Sequence, residues 1–222
     1  MLLLRPKFIT FDCYGTLTRP LLSDMAREIY GARLSPGQMD QFIRDFAAYR
    51  LDEVLGAWKP YRDVLVNAAA RTCRKHGVPF VEAEAQAFYD AVPRWAPHPD
   101  VPPALKIVAR EFPLVGLTNA MDCQIMHNVA MYEAPFHAVV TAERVQSYKP
   151  RLKGFEDMMD LLGARPEELL HVSSSFRYDL MPAYDLGIKM KAWVNRGHEP
   201  PNPFYEYHEI ADLSGLPRLL GL

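Results

Sequence analysis

Asp12, Thr118 with Asn119, Lys149, and Ser173 to Ser175 with Asp179 each come at or soon after the end of a short apolar run in this 222-residue chain. Phe8-Ile9-Thr10-Phe11 leads straight into Asp12, and Cys13-Tyr14-Gly15-Thr16-Leu17 then breaks the run with a glycine turn. A carboxylate in that position can attack an electrophile, and the backbone N–H groups of such a turn converge on a small volume suited to an anion. An Asp before a turn is also a common cap, and the segment alone divides evenly between the two uses. Alone, Lys149 reads as a surface lysine, Asn119 as a helix cap and Asp179 as a helix-start carboxylate. Together they supply a nucleophile, an ammonium to neutralise it, a second carboxylate, and amide and hydroxyl donors for an anionic substrate.

Bringing these residues to one place requires strands that end on a common edge. Apolar runs at 8–11, 113–119, 138–141, 169–172 and 191–194 alternate with helical spacing over 101–111, 121–132 and 152–162 and a helical turn at 182–186. That alternation predicts right-handed crossovers and a parallel sheet covered on both faces, which presents ligands beyond the carboxyl ends of its strands. Residues 21–96 break the rhythm. Ala26, Ile29 and Tyr30, then Met39, Phe42, Ile43 and Phe46, then Val64, Leu65 and Ala68 recur at helical spacing, with Gly56 and Pro60 as punctuation. The expectation is an α/β chain: a Rossmann-like doubly wound parallel sheet core of residues 1–20 and 97–222, with a helical insertion over 21–96. The proline-rich stretch from Pro93 to Pro103 is the expected return hinge.

A net charge of −2 and the lack of any basic run argue against a nucleic-acid partner and for a small-molecule substrate. No apolar run reaches the length of a membrane span, and the apolar start at 1–4 is too short for a signal-peptide core. Cys13, Cys73 and Cys123 form no CxxC pair, which argues against a disulfide framework or zinc site and for a reducing, cytoplasmic setting. A homodimer is compatible with the chain. Phe204, Tyr205 and Tyr207 read as a packed tail rather than an interface.

The polar segments resemble the four motifs of the haloacid dehalogenase superfamily, and more narrowly those of the type II 2-haloacid dehalogenases, over nearly the whole chain. Asp12 to Leu17 is similar to the first motif, Leu117-Thr118-Asn119 to the second, Tyr148-Lys149-Pro150 to the third, and Ser173 to Asp179 to the fourth. Tyr14 discriminates within the superfamily. Its phosphatases carry a second Asp two residues after the nucleophile, because an ester leaving group needs a proton, whereas a halide leaves unprotonated.

The resemblance implies hydrolytic dehalogenation of a short 2-haloalkanoic acid through an ester on Asp12. Lys149 would keep Asp12 ionised, Asp179 would hold Lys149 and help activate water, and the helical insertion would be a cap whose Arg44 receives the halide with Asn119. Cys13, Tyr14, Thr16, Thr118, Ser173 and Ser174 would surround the anionic substrate, with no metal and no other cofactor. Two departures stand out: Phe155 replaces a tyrosine six residues after Lys149, and the fourth motif lacks its Asn and is one residue longer. Arg177 is open to two uses, binding a substrate carboxylate or pairing with Asp179. Two other readings remain on the same residues: a magnesium-dependent phosphatase that ligates metal through Asp12 and Asp179, and a binding protein that kept the fold without catalysis.

Overall fold

A computed structural model describes residues 4–222; residues 1–3, part of the apolar start, lie outside the described residues. The chain divides into two compact units, one running to residue 19 and resuming at 96–222, the other covering 20–95.

The larger unit is built on a six-stranded sheet. Phe-Ile-Thr-Phe, aromatic and β-branched, forms the fully buried strand β1 (Phe8–Phe11). In the smaller unit follow α1 (Leu22–Tyr30), α2 (Pro36–Leu55), α3 (Tyr61–His76) and α4 (Glu82–Ala91). The larger unit then continues through α5 (Val101–Val108), β2 (Leu114–Thr118), α6 (Asp122–Ala130), β3 (Phe136–Thr141), α7 (Ala142–Val145) and α8 (Lys153–Leu162). After β4 (Leu169–Ser173) come α9 (Met181–Asp185), β5 (Met190–Val194), β6 (His208–Ile210) and α10 (Gly215–Leu220). The strand order is β3-β2-β1-β4-β5-β6, and every pairing is parallel. The chain thus winds outward from β1 in one direction, returns to β4 on the other side of β1, and winds outward again. The switch point between β1 and β4 is where a doubly wound sheet opens a crevice for ligands.

Side-chain alternation gives the inner strands β1, β2 and β4 two buried faces. Ile9 and Phe11 pack with Leu170, Val172, Ala192 and Val194 against Leu105 and Val108 of α5 and Leu216 and Leu220 of α10. On the opposite face Phe8 packs with Val115, Leu117 and Leu169 against Phe155 and Met158 of α8. Thr10 and Asp12 continue that second face along β1, as His171 and Ser173 do along β4. In the helical unit, Ser35 caps α2 ahead of Pro36, and the Tyr30, Phe42, Phe46 and Phe88 rings fill the space beside Val64, Leu65 and Ala68 of α3.

The expected elements differ from the observed ones at their ends, at the short helix α7, which was not expected, and after β5. The helix expected over 101–111 closes at Val108, with Ala109 to Phe112 continuing as turns before Pro113. The helical turn expected at 182–186 begins earlier, at Phe176. Neither β6 nor α10 was expected: β6 is three residues long with two exposed, too short to carry an apolar run, and α10 holds a glycine and a proline. Tyr205 and Tyr207 pack on Phe176 and Tyr207 also on Trp193, in keeping with a packed tail, while Phe204 is exposed beside Tyr184.

Beyond Asp12 the turn depends on Gly15, whose φ of 103° is one that side chains with a Cβ rarely adopt. Gly37, in the first turn of α2, has a negative φ and open space around it. Gly15→Ala is therefore expected to lower the unfolding free energy by about 1–3 kcal/mol. Gly37→Ala is expected to raise it by about 0.4–1 kcal/mol. Urea denaturation of both variants checks the opposite signs.

Candidate active site

The first motif turns back on itself after β1: Gly15 N–H donates to the Thr18 carbonyl, and the N–H groups of Leu17 and Thr18 both donate to the Cys13 carbonyl. That closure carries the Thr16 hydroxyl onto Asp12, donating to Oδ2 at 2.7 Å. Thr16 Oγ1 accepts in turn from Ser174 N–H at 2.8 Å, which links the ends of β1 and β4 across the switch point. Behind the turn, Arg196 forks onto Asp100 at 2.9 and 2.8 Å and donates to the Thr16 carbonyl at 3.0 Å.

The Lys149 ammonium is buried between the two carboxylates. It donates to Asp12 Oδ1 at 2.9 Å, to Asp179 Oδ1 at 2.7 Å and to the Leu117 carbonyl at 2.8 Å, so all three of its hydrogens have partners. Asn119 clasps its backbone: the amide Oδ1 accepts from Lys149 N–H at 2.7 Å, and Nδ2 donates to the Lys149 carbonyl at 3.0 Å. The end of β2 thereby fixes the lysine at both its main chain and its tip.

Asp179 reaches the same point through the longer fourth motif. Residues Phe176–Leu180 form a π-helical turn, in which Leu180 N–H donates to the Ser175 carbonyl five residues back. A π turn holds one more residue than an α turn, and this one takes up the extra residue of the motif. Ser175 caps it by accepting from Tyr178 N–H, and the Glu199 carboxylate accepts from the Ser175 hydroxyl and from the N–H groups of Phe176 and Arg177. Asp179 Oδ1 also lies 3.1 Å from His171 Nε2, while Asp179 Oδ2 is buried with no hydrogen-bond partner.

Burial pushes the Asp12 carboxyl above its ordinary pKa; Lys149 works against that and the nearby Asp179 charge adds to it. Burial pushes on Asp179 as well, but the Lys149 charge and the His171 hydrogen bond outweigh it and hold Asp179 below its ordinary value. For Lys149, burial opposes the charge and the two carboxylates more than restore it. Asp12 is thus the carboxylate that takes up a proton first on acidification, and Asp179 the one held ionised.

The other residues singled out from the sequence are more scattered. Ser173 Oγ accepts from Ser175 N–H, and Ser174 Oγ lies 3.2 Å from Thr16 Oγ1. The Thr118 hydroxyl is buried beside the Cys13 thiol with no partner of hydrogen-bond geometry. Cys13 packs in the core with Ala120 and Ile125, and burial, reinforced by the Asp12 charge, has its thiol pushed up to about 12. Tyr14 donates its hydroxyl to Asn128 at 2.7 Å. Arg44 belongs to the helical unit, where it is exposed on α2 with its guanidinium on Gln41. Arg177 is exposed too, and the pairing with Asp179 weighed for it does not form: Lys149 and His171 take that place.

His171, Glu199 and the Asn119 clasp were not assigned these contacts from the sequence. His171 had one signal, a polar residue inside the apolar run of β4. Among the described residues no group of three or more His, Cys, Asp or Glu side chains could hold a metal ion, and no helix is long and apolar enough to cross a membrane.

The family model for haloacid dehalogenase-like hydrolases matches residues 6–187, and the chain belongs to that family. It is 26% identical over 197 residues to an (S)-2-haloacid dehalogenase of Pseudomonas putida, covering 85% of this chain and 84% of the relative. Its fold matches that of an L-2-haloacid dehalogenase from Xanthobacter autotrophicus, solved with chloropropionic acid covalently bound, with a TM-score of 0.77, 22% identity and 97% and 98% of the two chains covered. It also matches HAD-hydrolase YfnB from Bacillus subtilis, bound to magnesium, with a TM-score of 0.81, 16% identity and 99% and 100% coverage.

Removing the ammonium leaves two buried carboxylates facing each other without a counter-ion. Lys149→Ala is expected to cost about 3–5 kcal/mol of stability at neutral pH. The sign with pH follows from the carboxylates. In the wild type, depressed Asp179 contributes stability above its unfolded pKa that is lost as pH falls. In the variant both carboxyls are raised, so stability is lost instead as pH rises through their folded pKa values. Thermal unfolding from pH 4 to 8 should show the gap between the two proteins widening with pH.

Proposed function

We propose that this protein hydrolyses short 2-haloalkanoic acids to 2-hydroxy acids and halide through an ester on Asp12. The observation that carries the reading is a buried carboxylate held at one oxygen by the Thr16 hydroxyl and at the other by the Lys149 ammonium, with Tyr14 in place of a second acid. Such a group is oriented for attack, while no side chain two residues on is suited to protonating a leaving oxygen.

In the first step an Asp12 oxygen attacks C2, the C–O bond forms as the carbon–halogen bond breaks, and the halide leaves with the bonding pair. In the second, water attacks the Asp12 carbonyl carbon, its proton passes to Asp179 Oδ2, and the acyl–oxygen bond breaks. The 2-hydroxy acid departs with an oxygen that came from Asp12 and with that proton returned by Asp179, while the second hydrogen of the water, left on the regenerated Asp12 carboxyl, is lost to solvent as the one proton released with the halide. The unpartnered Asp179 Oδ2 supports the base role, and the unpartnered Thr118 hydroxyl, with the turn N–H groups, supports a site for the substrate carboxylate. Arg44 is assigned the halide on the resemblance, since a guanidinium offers a fixed fork of donors to an anion. Asn119, whose amide holds the Lys149 backbone, keeps one N–H for the same halide.

The magnesium-dependent phosphatase reading fits less well. A divalent ion shared by Asp12 and Asp179 would have to sit beside the buried Lys149 ammonium, which already lies 2.9 Å from the one and 2.7 Å from the other and repels a second cation.

Incubation with (S)-2-chloropropionate in excess chelator is expected to release chloride and yield lactate of inverted configuration, as in-line attack requires. Arg44→Ala should lower that turnover on the order of a hundredfold, about 3 kcal/mol of transition-state stabilisation. Chloride release that needs added magnesium, or generic phosphate esters as the better substrates, would move the assignment to a phosphatase. Unchanged turnover in Arg44→Ala would return that arginine to an ordinary surface role.

A further inference from the structure

His171 is fully buried in a strand, an expensive place for an imidazole unless both ring nitrogens are used. They are. Thr10 and His171 are register partners on β1 and β4, and the Thr10 hydroxyl lies 2.8 Å from Nδ1, while Nε2 lies 3.1 Å from Asp179 Oδ1. Asp179 is an acceptor, so Nε2 carries a hydrogen and donates it to Oδ1, while Nδ1 pairs with the Thr10 hydroxyl. The Phe155 ring meets the imidazole edgewise at 5.0 Å and closes its remaining side. The ring plane is thereby set from the core of the sheet, with Nε2–H turned toward Asp179.

The consequence falls on Asp179. Lys149 alone would leave that carboxylate one donor and a free choice of rotation about it; His171 supplies a second donor to the same oxygen, Oδ1. With Oδ1 held twice, Oδ2 is left in a defined direction, buried and unpartnered. We infer that His171 is a positioning residue that aims Asp179 Oδ2 at the water of the ester-hydrolysis step, with Thr10 as its own orienting partner. This role rests on the proposed dehalogenation and assigns His171 to its second step alone.

A residue that acts only through Asp179 should slow ester hydrolysis and spare ester formation. His171→Phe, close in shape to the imidazole, is expected to release a first equivalent of halide at the wild-type rate and then turn over about tenfold or more slowly, part of the hundredfold or greater factor that a positioned base supplies. Alkylated enzyme should then accumulate in intact-protein mass spectra, with the KM for (S)-2-chloropropionate little raised. His171→Gln, which keeps an N–H donor, should restore most of the turnover. A second readout needs no substrate: carbon-13 NMR of the Asp179 carboxyl, flanked by Lys149, Asp12 and His171, should show proton uptake at higher pH in His171→Phe than in the wild type. An unchanged Asp179 titration overturns the inference, as does a loss of the halide burst in step with steady-state turnover. Failure of the wild-type enzyme to release halide would overturn the dehalogenase reading instead and leave the NMR arm to decide the contact.

Discussion

A buried ammonium with three hydrogens and three acceptors organises this molecule. Lys149 joins the end of β1 through Asp12, the end of β2 through the Leu117 carbonyl, and the turn after β4 through Asp179. Two charges taken from water into a packed interior repay their desolvation only when geometry and hydrogen bonding are complete, and here a third charge shares the same cation. The arrangement therefore tolerates little displacement. Asn119 fixes the lysine backbone, Thr16 fixes the far oxygen of Asp12, and His171 fixes Asp179. Each of these contacts comes from a different strand end or turn, which is what a parallel sheet with a switch point between β1 and β4 makes available.

The asymmetry between the two carboxylates follows from the same geometry. Both are buried and both accept from Lys149, but Asp179 receives a second donor on its shared oxygen while Asp12 is raised by burial and by its negative neighbour. One carboxylate is left with the higher free energy in its charged form and the other is held charged. Two like groups whose environments push them apart in this way can take two roles in one reaction, nucleophile and base.

Much of this was legible in the amino-acid sequence because strands buried on both faces read as continuous apolar runs, and the residues that follow them are the ones a parallel sheet presents. Asp12, Lys149 and Asp179 meet in the structure for that reason. The contacts that hold them were not legible, since they join residues far apart in the chain: Asn119 to Lys149, Thr16 to Ser174, Glu199 to the turn at Phe176. The π turn had only one trace in the sequence, an extra residue in the fourth motif, and its physical meaning emerged from the hydrogen bond of Leu180 to Ser175. His171 looked like a polar residue within a core strand, and only the register with Thr10 gives it a purpose. The short strand β6 and helix α10 lie below the length at which periodicity carries information.

The central claim is that Asp12, and not water, attacks the substrate. A single turnover with enzyme in excess over (S)-2-chloropropionate, run in water enriched in oxygen-18, tests it most directly. Attack by Asp12 predicts product lactate without heavy oxygen in its new hydroxyl, and one heavy atom in a proteolytic peptide containing Asp12. Heavy oxygen in the lactate of that first turnover, with Asp12 unlabelled, would mean direct displacement by water and would contradict the account.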